Sequence, residues 1–174
     1  MSNSMRWRWG ETNPVSVEIS SSVSVSMGDL VYLNAGAVQS ASAFTLKSSL
    51  TATQSSFRAQ FLGIAMQAKP SGVSGKIRVA TSGVFQFPCT ETTYQFGALV
   101  GAAYNSNSTA LENQKLTSAV STQGAIGRVI RAESSSVDSI YVQIASTVFT
   151  GGLSIEAESV ASAASSSSAA ASGN

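Results

Sequence analysis

The chain has 174 residues, of which 43% are hydrophobic and only 11% charged, with a formal net charge of +1. That length suits one domain with a core of ordinary size, and so much apolar content with so little net charge excludes global disorder. A near-neutral balance also excludes strong long-range attraction to nucleic acid or to an anionic membrane, so neither is expected as a partner.

The first fourteen residues form a basic, aromatic arm, Arg6-Trp7-Arg8-Trp9, that ends at Asn13-Pro14. They lack the apolar stretch of a secretory signal, and no run in the chain approaches the ~18 apolar residues of a membrane-spanning helix. Synthesis in a cytoplasm is expected. If the arm is extended, alternation places Trp7 and Trp9 on one face and Arg6 and Arg8 on the other. Two indoles on a free arm are costly to expose, which leaves two readings open. In one, the arm adds as a strand to a neighbouring subunit, with Arg6, Trp7, Arg8 and Trp9 making the contact. In the other it folds back on its own body. A membrane-active Arg/Trp peptide is a weaker reading, because the motif is short and no amphipathic helix accompanies it.

Residues 15–27 alternate apolar and small polar side chains, the pattern of a strand with one buried face, broken by a turn near Ser20–Ser22. A pattern then occurs twice. Gly28-Asp29-Leu30-Val31 is matched by Gly97-Ala98-Leu99-Val100, and Phe61–Met66 around Gly63 by Ala125–Ile130 around Gly127. Ile77-Arg78-Val79 is matched by Ile140-Tyr141-Val142, and each half is read as ending in Val-Phe, at 84–85 and 148–149. A repeated three-strand unit predicts an all-β fold: a small β-barrel or sandwich built from two similar halves, occupying residues 15–152.

Helix signals are weak throughout that body, and turn chemistry is plentiful. Lys69–Gly75 reads as a hairpin loop, and Ser82-Gly83 and Asn105–Ser108 as turns. Residues 35–60 and about 103–119 read as polar excursions at matched places, expected to lie on the surface and carry contacts, with the first at an interface. Residues 153–174 are a low-complexity Ser/Ala tract. Ile155–Ala161 has the composition of a helix start, but nothing after it offers an apolar face, so a flexible terminus is expected.

Chemistry is hard to find. The chain has no histidine, which removes Ser-His-Asp and Cys-His catalysis and the commonest metal ligand. Only two aspartates exist, and Asp29 reads as a turn or strand-entry residue. Pro70–Ile77 fails as a phosphate loop, because Pro70 stands where the first glycine belongs and Ile77 replaces the Ser/Thr that meets magnesium. The single cysteine, Cys89, excludes an intrachain disulfide framework and reads as a small buried hydrophobe at a strand end. No catalytic residue, cofactor or metal site is expected, and the chain is read as a non-enzyme.

Several segments carry a family likeness: Arg8–Val15, Gly28–Leu33, Phe61–Gln67, Ile77–Phe85, Leu111–Lys115 and Ala125–Val129. In their order and spacing they resemble phage and prophage capsid decoration (cement) proteins over roughly residues 8–152. The resemblance implies a small β-barrel on the outside of an icosahedral head, working as a homotrimer. It would bind the major capsid protein after expansion and localise to the virion surface. The alternatives are a tail-tube or head–tail connector protein, which would form rings or tubes, and a carbohydrate-binding module. The last is disfavoured because Tyr32, Tyr94, Tyr104 and Tyr141 are dispersed along the chain.

Overall fold

The computed structural model describes residues 6–149; what is expected of residues 1–5 and of the 153–174 tract lies outside them. Among the described residues the chain runs β1 (Arg6–Trp9), β2 (Pro14–Ile19), β3 (Leu30–Asn34), β4 (Ala37–Ser40), α1 (Leu50–Ala59), β5 (Phe61–Ala65) and β6 (Gly75–Ala80). It continues through β7 (Ser82–Tyr94), β8 (Leu99–Tyr104), β9 (Leu111–Ser118), β10 (Gly127–Val129) and β11 (Glu133–Ala145). The fold is mostly β, as the sequence predicts. One sheet has the order β2-β6-β5-β3-β4, and the other β7-β11-β10-β8-β9, with β1 added outside β7. A parallel pairing of Cys89 in β7 with Leu116 in β9 closes the second sheet into a five-stranded barrel.

The two sheets repeat one design. Numbered within each half, the strands of both run one-five-four-two-three across the sheet. The hydrogen bonds repeat as well. Gly28 N donates to Ala65 O at 2.7 Å and Gly97 N to Val129 O at 2.7 Å, while Ala65 N donates to Asp29 O and Val129 N to Ala98 O, each at 2.9 Å. Gly28 and Gly97 both take positive φ, +95° and +81°, a conformation glycine reaches without a side-chain penalty. Two boundaries differ from expectation: Val84-Phe85 does not close the first half but lies in β7, the opening strand of the second, and β11 ends at Ala145, short of Val148-Phe149.

β5 is an unbroken apolar run because both of its faces are covered. Leu62 and Ala65 join Ile19, Val31, Ile77 and Val79 in the core of the first sheet. Phe61 and Ile64 face the other way, into a larger core shared with Phe85, Phe87, Ile140 and Val142 of the barrel. A bulge at Gly63 makes this possible, since Val31 pairs with Gly63 but Tyr32 with Phe61. The alternating segment after the arm behaves as predicted: β2 is followed by a turn in which Val23 N donates to Ser20 O at 3.1 Å.

The excursions are more ordered than their composition predicts. Residues 35–60 contain α1, whose buried face is Thr53, Gln54 and Phe57. Two of those three are polar, so the apolar period that would announce a helix is missing. Their partners lie in the second half: Thr53 Oγ1 is 2.9 Å from Tyr104 Oη, and Gln54 Nε2 donates to Ala102 O at 3.1 Å. Gly101 lets the helix approach, because a Cβ there would meet Gly124 O at 2.6 Å and Gln54 Nε2 at 2.9 Å. The first excursion thus braces the chain's own barrel. In the second, β9 is a barrel strand and the loop is confined to residues 105–110.

The Lys69–Gly75 segment is the expected hairpin loop between the antiparallel strands β5 and β6. It is held by a buried lysine: Lys69 Nζ donates to Val23 O at 2.8 Å, Pro70 O at 3.0 Å and Val73 O. Asp29 is a buried turn residue, accepting from Ser26 N and from Gln114 Nε2 at 2.9 Å each.

Candidate functional site

The arm folds back on its own barrel. β1 pairs antiparallel with β7, Arg6 opposite Gln86 and Trp7 opposite Phe85, and then the register slips so that Trp9 opposes Val84. In such a bulge two residues stand against one, and strict alternation fails. Trp7 and Trp9 therefore lie on opposite faces of the strand, which corrects the expectation that they share one.

On one face Trp7 joins Arg6, Met27, Ile64, Met66 and Phe85 around an apolar groove of about 360 Å³. The groove lies where the arm crosses from the barrel towards β5 of the first sheet. Trp7 remains 54% exposed and Met27 50%. On the other face Trp9, 50% exposed, stacks on Tyr141 with ring centroids 5.8 Å apart and planes inclined by 28°. Arg8 and Arg131 place their guanidinium carbons 5.8 and 5.6 Å from the centre of the same ring, within cation–π range. Arg8 also donates to Gln86 Oε1, from Nε at 3.1 Å and from Nη2. Arg131 pairs with Glu133 at 3.5 Å.

A wider polar groove of about 960 Å³ runs beside this cluster, lined by Arg6, Arg8 and Lys115 against the single carboxylate of Asp138. All four arm residues singled out in the sequence thus meet on one region, and Tyr141, Gln86 and Arg131 complete it. Tyr141 alternates with the buried Ile140, Val142 and Ile144, so the strand pattern alone places its ring on the outer face. Gln86 and Arg131 carried no such signal.

Cys89 is buried in the interior of β7 rather than at a strand end, and its thiol donates to Val137 O at 3.4 Å. Burial pushes its pKa up and pushes Tyr94 to about 12. Both groups are held neutral, the opposite of what an activated nucleophile requires. Among the described residues no three His, Cys, Asp or Glu side chains gather as a metal site would need, and no helix is long and apolar enough to cross a membrane.

No family model matches the chain, and no curated protein matches it. The geometry alone gives an edge strand carrying two half-exposed indoles, flanked by arginines, with an apolar groove on one side and a basic groove on the other. Tryptophan and arginine are among the residue types enriched at protein interfaces.

Proposed function

We propose that this chain is a non-enzymatic structural protein of a virion, a capsid decoration protein that docks on the outside of the major capsid protein lattice through its arm face. The observation that carries this reading is the exposure of Trp7 and Trp9 on an edge strand whose outer side has no partner among the described residues. An unpaired edge offers a row of backbone donors and acceptors to an incoming strand. Indoles that close by are typical anchors of a protein interface. The resemblance of residues 8–152 to decoration proteins supports the choice of partner.

The mechanism is linkage. A protein that binds only the assembled, expanded lattice stabilises that state by mass action. Each contact of ordinary size buries about 1,200–2,000 Å², and many such contacts raise the temperature the shell withstands. The protein acts as a homotrimer. The unpaired edge also suits the second reading, a tail-tube or connector subunit that polymerises edge to edge.

Light scattering separates the two: three times the 17.8 kDa chain mass is expected, and rings or tubes would favour the second reading. Cosedimentation then tests the partner. Saturable binding to expanded heads and none to unexpanded heads is the predicted result, and failure to bind either would overturn the proposal.

A further inference from the structure

The two grooves lined by the arm belong to opposite sides of β1 and differ in chemistry. Trp7 stands opposite Phe85, whose ring is buried in the barrel core, so Trp7 shares that inner side. There the apolar groove is lined by Ile64, Phe85 and the half-exposed Met27. Arg6 stands opposite Gln86, and Arg8 donates to Gln86 Oε1 across the bulge, so both arginines belong to the outer side. In the basic groove Arg6, Arg8 and Lys115 meet a single carboxylate, that of Asp138. None of these four is in an ion pair among the described residues, whose one such pair is Arg131–Glu133. Like charges sharing a groove repel, and a carboxylate placed among them relieves that repulsion.

β1 is the last strand of its sheet among the described residues, and its side chains line both grooves. A strand that pairs with this edge continues the pleat, so its own side chains alternate between the same two sides. The residue opposite Trp7 then points to the apolar side, where a groove of about 360 Å³ admits a large aliphatic side chain. Its two neighbours point outward, beside Arg6 and Arg8, and opposite charges across a strand pair are stabilising. The complementary segment is therefore acidic–apolar–acidic. That triplet reads the same in both directions, so parallel and antiparallel addition are equally served. A second copy of β1 does not fit, because it would bring two more arginines to a groove that already holds three cations.

Resting on the docking reading above, we propose that the arm edge selects an extended segment of its partner with an acidic–apolar–acidic pattern. The apolar side chain enters the groove beside Trp7 and Phe85, and the carboxylates meet Arg6, Arg8 and Lys115. Trp7 and Trp9 are the chain's two tryptophans, so intrinsic fluorescence reports on the arm alone. A synthetic Thr-rich peptide with Glu-Ile-Glu at its centre should shift that emission and half-saturate at about 1 mM or below. Peptides with Lys-Ile-Lys or Glu-Ser-Glu at the centre should bind at least roughly tenfold more weakly. The same loss is expected for the first peptide on the Arg6→Gln/Lys115→Gln protein, and a weakening in about 0.5 M NaCl. The peptide variants leave the protein unaltered, so the test stands even if the substituted protein does not fold. No shift with the Glu-Ile-Glu peptide up to about 5 mM would overturn the proposal, as would equal binding of the three peptides. Emission that changes with protein concentration in the absence of peptide would also overturn it, by assigning the edge to a second copy. Heads that bind the protein when the peptide does not would sink the pattern and leave the docking reading standing. Peptide binding without head binding would do the reverse.

Discussion

Gly63 has no room for a side chain: its φ is +152°, and a Cβ would stand 2.0 Å from the carbonyl oxygen of Ala80. That oxygen belongs to β6, so relief would mean moving a strand that carries core residues. Gly63→Ala should therefore cost about 3 kcal/mol or more. Gly36→Ala should cost only about 1 kcal/mol, since φ there is +85° but nothing lies within 4 Å of the added methyl. Urea denaturation midpoints compare the two directly, and equal losses would contradict the packing described at Gly63. A second residue-scale prediction concerns Cys89 and Tyr94, whose pKa values are both raised by burial. The folded chain favours their neutral forms, so stability is intact below pH 9 and falls as pH rises towards about 12, where Tyr94 ionises in the folded state. Tyr94→Phe should flatten part of that fall in denaturation measured at pH 8 and pH 11. The native thiol should be silent towards Ellman's reagent and react fully on unfolding.

Among the elements, α1 makes the clearest prediction, because it belongs to the first half and is bonded to the second. Gln54→Leu removes the donor to Ala102 O and should cost about 1–3 kcal/mol. A denaturation midpoint equal to that of the unaltered protein would show that the hydrogen bond contributes nothing. The helix was illegible for the same reason that it is held: Thr53 and Gln54 face inward through hydrogen bonds, so hydrophobic periodicity never appears. β2 was legible because Val15 and Val17 turn to the core while Ser16 and Glu18 face water. The repeat was legible at Gly28 and Gly97, where a backbone conformation demands glycine. Its outer limits were not, because Ser82-Gly83, read as a turn, instead opens β7, into which β6 runs almost directly. The arm shows the same division. Its four residues stood out by type, but the slip that separates the two indoles arises from pairing with β7 and has no counterpart in the arm's own sequence.

At the scale of the whole molecule, two sheets of one design share a continuous core that runs from Leu30 and Tyr32 through Phe57 and Phe61 to Phe85, Phe87 and Ile140. With that core and the α1 brace the halves should unfold together. Calorimetry should show one two-state transition, and two resolved transitions would contradict a shared core. The same arrangement leaves the arm on the outside, attached along one edge and exposing both indoles, where a partner can cover them without disturbing either sheet. Docking through this face is the central claim, and binding of the Trp7→Ala/Trp9→Ala protein to expanded heads, measured by cosedimentation against the unaltered protein, tests it most directly. If the indoles are anchors worth about 2 kcal/mol each, the variant should remain folded and bind at least about a hundredfold more weakly. Equal occupancy of the heads by the two proteins would contradict the claim.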